Sequence, residues 1–312
     1  MESIASRREG ALGKPREGAI GMSRRDSGLR TAFESLSRRY GADSIGSDPV
    51  SLVHRYSDPR DVEVAGWIAS AFAYGRVDTI LANVSRLLES LGRHPAETLA
   101  SSPPGAEDLS FFRHRFHGPE EAATLLSLIG GIIRSEGSVK NFFESRYRGE
   151  PDTGPLLDRV CADLVGRVPA ANAALRFLFP SPSGGSACKR WNLYLRWMVR
   201  RDAIDFGIWG GIPPRALIVP TDTHVHRVSR RLGLTRRKTA DWTTAVEITR
   251  RLARLDAEDP VKFDYAICRL GILEICRAKP RLSECPECIA RPVCPVGSRR
   301  MASRRAAGRR VA

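Results

Sequence analysis

The chain has no apolar stretch long enough to span a bilayer, which takes about 20 apolar residues, and its first residues hold no apolar leader segment. The first absence argues against a membrane protein and the second against export. Strand-like alternation is scarce and no internal repeat is present, so little points to a sheet. Seven cysteines in 312 residues is an odd number. In a long chain without a leader, that argues against a disulfide framework. Acids are also short: 35 Asp and Glu face 50 Lys and Arg, for a formal net charge of +15. Residues 295–312 carry Arg299, Arg300, Arg304, Arg305, Arg309 and Arg310 with no acid at all. With that tail and the first 30 residues set aside, the body stays net basic. Such a surplus suits a polyanionic partner, nucleic acid first. A coding bias towards Arg, Ala and Gly would account for much of the tails but not for the motifs.

What is there is helical spacing. Apolar periodicity predicts helices at 29–40, 62–74, 77–91, 94–100, 107–116, 119–134, 138–147, 154–165, 187–200, 223–232, 240–255 and 259–275. The 62–74 stretch is almost wholly apolar and should be central, with Asp61 as its N-cap. Residues 205–220 form a loop rich in Gly and Pro. We therefore expect an all-α chain that ends in a cysteine loop. Residues 1–28 are expected to form a disordered basic arm, with the native start at Met22, and residues 298–312 a second disordered basic tail.

The cysteine loop holds Cys276, Cys285, Cys288 and Cys294, with gaps of eight, two and five residues. Only Cys285 and Cys288 form the close pair that structural zinc sites use twice. Single cysteines on either side suit a cubane iron–sulfur cluster, [4Fe-4S], whose corners are reached from several directions. Zn2+ is the alternative, and four ordinary buried thiols the third reading. Cys161, Cys188 and Cys268 fall on predicted helices and read as small core residues.

Two further segments carry chemistry. In residues 183–200, Gly184 and Gly185 make a tight turn, and Ser183 or Ser186 can cap the helix that follows. Lys189 then falls in the first helical turn beside Arg190. The positive helix end and the neighbouring guanidinium both disfavour an ammonium, which makes a more nucleophilic amine. Backbone N–H groups of the same turn can hold a phosphate. A solvated surface lysine is the plain alternative. In residues 219–234, Asp222 precedes a helix and suits an N-cap, a role that does not exclude catalysis. His224, His226, Arg227, Arg230 and Arg231 decorate that helix as a solvated or phosphate-binding face. The two histidines point to different sides, which argues against a shared metal.

In order, Lys189 after a Gly-rich turn, a Gly/Pro loop, Asp222 in PTDTHVHRV and a four-cysteine tail resemble the helix-hairpin-helix–Gly/Pro–Asp DNA glycosylases of the endonuclease III type. The segment SACKRWNLYLRWMVR more narrowly resembles a bacterial family of unassigned function. The resemblance spans roughly residues 60–296 and has departures. Gly185-Ser186-Ala187 replaces the usual hairpin Gly-h-Gly, the lysine and aspartate stand 33 positions apart, and the first cysteine gap is longer than the family's. The long separation is similar to that of archaeal 8-oxoguanine glycosylases.

The resemblance implies two helical lobes, one at 60–204 and one made of 29–59 with 205–297, the latter holding the iron–sulfur loop. It implies a base-excision repair enzyme with AP lyase activity on double-stranded, lesion-bearing DNA, with an oxidised purine the favoured lesion. Lys189 would be the nucleophile and Asp222 the group that stabilises developing positive charge. Gly184, Gly185, Ser186, Arg190, His224, Arg227, Arg277, Lys279 and Arg281 would meet DNA. Phe72 stands where relatives of that type carry a gap-filling Gln, and is a wedge or simply core. Trp209 would stack on the extruded base or anchor its loop. A monomer in the cytoplasm, near the nucleoid, is expected. A monofunctional glycosylase, or a non-enzymatic iron–sulfur or zinc DNA-binding protein, is the alternative.

Overall fold

The computed structural model describes residues 22–168, 173–277, 285 and 288–297. The expected tail at 298–312 and residues 1–21 of the expected arm fall outside these residues, whereas Arg24 to Gly28, expected in the disordered arm, begin the first helix, capped by Ser23. The fold is helical throughout, and the described residues contain no strand, only isolated bridges such as Ser186 with Asp241. The helices are α1 (Arg24–Arg39), α2 (Val50–Val53), α3 (Pro59–Ala71), α4 (Val77–Ser90), α5 (Pro95–Ser101), α6 (Pro119–Glu136) and α7 (Val139–Glu144). They continue with α8 (Gly154–Gly166), α9 (Ala173–Arg176), α10 (Lys189–Val199), α11 (Thr223–Leu232), α12 (Trp242–Ala253) and α13 (Asp264–Ile272).

The near-continuous apolar run becomes the central helix, as its composition demands. In α3 every residue from Asp61 to Ala71 is buried. Its N-cap is Asp58 rather than Asp61: the Asp58 carboxylate accepts from Arg60 N at 2.9 Å, and Pro59 sits at the first helical position. Asp61 is thereby free for another task, accepting from Ala96 N at 2.9 Å and so pinning the start of α5. The second buried helix, α10, lies against α3. Gly66 permits that approach, because a Cβ there would sit 2.8 Å from Met198 Cε. Trp67, Trp191 and Tyr194 fill the seam, each worth about 1.5–3 kcal/mol of apolar burial.

Two expectations on local structure are corrected. Residues 107–116 form no helix: Leu109 and Phe112 are buried from a series of turns, and a tight turn joins His114 to His117. Between them Arg115 adopts φ +56°, which an α-helix cannot absorb. A short helix, α9, forms where none was expected. The apolar side chains form one continuous core that runs from Leu29 on α1 to Ala290 beside the last cysteines.

The long loop after α10 is tied down by buried charge. Arg196 Nε donates to Asp205 Oδ2 at 3.1 Å, and Arg196 Nη1 pairs with Asp264 at 2.6 Å. Arg200 pairs with Asp205 and, at 2.9 Å, with Asp202 and Asp259. Without partners such charges would not survive in the interior. The network links α10, its loop and α13.

Candidate functional site

Lys189 opens α10, and its side chain reaches back to α3. Nζ donates to the Ala73 carbonyl at 3.0 Å. Arg190 does the same one step deeper, donating to Ala71 O at 3.0 Å and to Phe177 O. Both cations thus satisfy carbonyls at the C-terminal end of α3, where the helix dipole favours them. Arg190 is 8% exposed, and burial lowers its guanidinium to about pKa 10. It is a core cation, not a DNA-facing one as expected.

The turn before Lys189 differs from the expected phosphate cradle. Ser183 N donates to Asp158 Oδ1 at 2.9 Å, Gly184 N to Ser181 Oγ at 3.1 Å and Gly185 N to Pro182 O at 2.8 Å. Ser186 accepts from Cys188 N at 3.1 Å but caps no helix: the N-cap of α10 is Cys188, at φ +47°, with no side-chain bond. These amides are taken within the chain, and the Asp158 carboxylate faces the turn. The Gly184 and Gly185 amides are therefore not a spare anion site, and the Ser186 hydroxyl is occupied by Cys188 N. Cys188 is buried, its thiol pushed up to about 12 by burial, which disfavours the thiolate an oxidant needs.

Asp222 is the N-cap of α11. One oxygen, Oδ1, accepts from His224 N and Val225 N, both at 2.8 Å. Its other oxygen makes no hydrogen bond among the described residues, so capping leaves half the carboxylate available. α11 packs on α13. Their approach is close at one point, where a Cβ on Gly271 would lie 2.8 Å from His224 Cβ.

Cys268, expected from its sequence position to be a small core residue, lies on α13, the helix that packs on α11. It is within electrostatic reach of both Asp222 and Lys189. Burial is the first cause that holds its thiol well above the ordinary value, although the residue keeps some solvent contact. The signal for Cys268 in the sequence was weak: one cysteine on a helix, without spacing to anything.

The four tail cysteines also come together. Cys276, Cys285, Cys288 and Cys294 all line one cavity, with Arg231 and Arg277 at its wall. Burial raises the Cys288 thiol, and the three other cysteines add to that rise. Among the described residues no group of three or more His, Cys, Asp or Glu is disposed to hold a metal ion. As a donor set the four thiols fit a four-cysteine cluster, which is reached from several sides. Arg231 Nη1 lies 3.2 Å from Cys276 Sγ. The long first gap does not keep Cys276 out, because Glu274 at φ +54° turns the chain and Cys276 N bonds back to Leu270 O at 2.7 Å.

Other expected DNA contacts fall elsewhere. Arg227 is committed internally, with Nε on Cys276 O at 3.2 Å and Nη2 on Gly271 O at 3.1 Å, so it ties α11 to the cysteine loop. His224 faces Arg227 at 3.2 Å, and Arg277 pairs with Glu274 at 3.6 Å. Lys279 and Arg281 lie outside the described residues. Phe72 is wholly buried against Phe112, so it is core and not a wedge. Trp209 is 2% exposed; its indole N–H donates to Glu63 at 3.2 Å, and its ring packs on Phe143 and Tyr194. It anchors the loop and is not placed to stack on a base.

A family model described as "Protein of unknown function (DUF2400)" matches residues 48–273, and the chain belongs to that family. No curated protein and no solved structure matches the chain. The matched segment includes Lys189, Asp222 and Cys268 and ends before the cysteine tail.

Proposed function

We propose that the protein is a DNA base-excision enzyme, a glycosylase with AP lyase activity, and that its tail carries an iron–sulfur cluster. The observation that supports this reading is that the Lys189 amine is held on the Ala73 carbonyl at 3.0 Å at the start of one helix, while Asp222 caps another with only one of its two carboxylate oxygens engaged. Lys189 and Asp222, 33 positions apart in sequence, each stand at the start of a helix. The basic body supports a polyanionic substrate.

The residues would act as follows. The flipped nucleotide presents C1′ to the Lys189 amine. Nζ forms a bond to C1′ as the bond between C1′ and the base breaks, and the base leaves with a proton. The unengaged oxygen of Asp222 faces the positive charge that develops on the sugar and takes up a proton from the attacking amine. Ring opening gives a Schiff base, and β-elimination of the 3′-phosphate nicks the strand. The cluster supplies structure: it would hold the cysteine loop in shape against the DNA backbone. Zn2+ is the alternative occupant of the same four thiols. Two lobes meeting near α10 and α11 belong to the same reading.

One observation favours a second reading. The bond from Lys189 to Ala73 O is also what a purely structural lysine would make. In a monofunctional enzyme Asp222 would activate water and Lys189 would only hold α3. Incubating the protein with duplexes that each carry one defined lesion tests the enzyme claim. We expect base release from at least one of them, and no turnover on any would leave a DNA-binding protein without chemistry. Anaerobically purified protein should be brown, with broad visible absorption, and a colourless, zinc-containing preparation would contradict the cluster.

A further inference from the structure

Of the large apolar side chains that stay exposed among the described residues, two are aromatic, Phe116 at 50% and Phe177 at 46%. They touch each other. Their rings lie 5.0 Å apart in an edge-to-face pair, although one belongs to the loop before α6 and the other follows α9. Two half-exposed phenyl rings in contact leave a continuous apolar surface in water, so the pair calls for an occupant.

The support beneath the pair is rigid. The backbone closes a turn from His114 to His117, with His114 N on His117 O at 2.9 Å and the reverse bond at 3.0 Å. Arg115 and Phe116 form its tip, Arg115 in the left-handed region at φ +56°. Both histidines are fully buried. His117 Nε2 donates to Ala174 O at 2.7 Å, tying the turn to the segment that bears Phe177, while its Nδ1 accepts from Tyr74 O–H at 2.5 Å. His114 Nε2 donates to Tyr74 O at 3.0 Å. From below, the Arg190 guanidinium lies 4.4 Å from the Phe177 ring centre. Strain, two buried imidazoles and a buried arginine are an expensive way to hold a surface loop that does nothing.

The surroundings name the occupant. Arg113 and Arg115 stand just before Phe116 on its turn and Arg176 just before Phe177; all three are exposed, and none makes an ion pair among the described residues. Aromatic faces interleaved with free guanidinium groups match a nucleic-acid strand, whose bases stack while its phosphates pair. The patch also adjoins Lys189, since Tyr74, which packs on both phenyl rings, follows the Ala73 that holds Nζ.

We propose that Phe116 and Phe177, with Arg113, Arg115 and Arg176, form a stacking site for an unpaired nucleobase in distorted duplex DNA. The proposal rests on the DNA reading above and adds to it the part of the surface that senses a broken base pair. Phe116 takes over the task for which sequence position had nominated Phe72.

Fluorescence anisotropy with the full chain tests it, using a duplex that holds one abasic analogue opposite a normal base, and the same duplex intact. Wild type should prefer the abasic duplex. Phe116→Ala/Phe177→Ala should lose that preference by roughly tenfold or more while still binding the intact duplex, and Phe116→Trp should keep it. Both side chains are exposed, so a circular-dichroism melt should show the double variant folded. An unchanged preference in the double variant would overturn the stacking site alone. No DNA binding by wild type would overturn the reading beneath it as well. Phenylalanine-dependent binding to anionic phosphatidylserine vesicles, with DNA preference unaltered, would assign the patch to a lipid surface and overturn the proposal.

Discussion

Lys189 and Ala73 are joined by a 3.0 Å hydrogen bond that spans 116 positions of sequence. The candidate nucleophile is therefore not a loose surface lysine. Its ammonium is drawn to the open carbonyls of a buried helix, beside Arg190, which does the same for Ala71. Position is thereby fixed before any substrate arrives, which is what an attacking group needs.

Capping and catalysis can be separated at Asp222. Asn caps a helix about as well as Asp, so Asp222→Asn should leave stability within about 0.5 kcal/mol of wild type. It removes the negative charge, so base release should fall by about 100-fold or more. Asp222→Ala should lose the cap as well, at about 1 kcal/mol. Urea unfolding and single-turnover excision on the same preparations check both. Equal activity in wild type and Asp222→Asn would reduce Asp222 to a cap.

The buried network around α10 should be the most costly to break. Asp205→Ala removes a carboxylate shared by Arg196 and Arg200, whose side chains are 3% and 6% exposed. Leaving buried guanidinium groups short of charge should cost about 3–5 kcal/mol in urea unfolding. A loss below about 1 kcal/mol would show that Asp264, Asp202 and Asp259 suffice without it.

Acid should loosen the turn that carries Phe116. Burial holds His114 and His117 below their ordinary 6.5. As pH falls through 6.5 the unfolded chain binds protons that the folded chain refuses, so acid favours the unfolded state. The stabilising neutral form is fully kept above 6.5, and stability is lost progressively below it. Urea midpoints should be level from pH 8 to 7 and fall between 6.5 and 5.5. His114→Asn/His117→Asn should flatten that slope. A midpoint that rises on acidification would contradict the buried neutral pair.

Long helices were legible in sequence where one face or the whole helix is apolar. Residues 62–74, 77–91, 119–134 and 223–232 form helices within a few positions of expectation. The stretch 107–116 misled because Leu109 and Phe112 are core residues supplied by turns, and periodicity reports burial rather than backbone shape. At the site, Lys189 and Asp222 could be picked out from type and context, and the four cysteines from spacing. Arg190 could not, since nothing local says that a charged residue will find Ala71 and Phe177 carbonyls in the interior. Sequence left Trp209 open between stacking on a base and anchoring its loop, because the partner that decides it, Glu63, lies on α3 far away in sequence. Cys268 escaped because its meaning depends on a helix crossing.

The most direct test is borohydride trapping on a panel of lesion-bearing duplexes. Wild type should give a covalent protein–DNA adduct on at least one lesion, and Lys189→Ala should give none while remaining folded. No adduct on any lesion, or an adduct that survives Lys189→Ala, would contradict the assignment of Lys189 as the nucleophile.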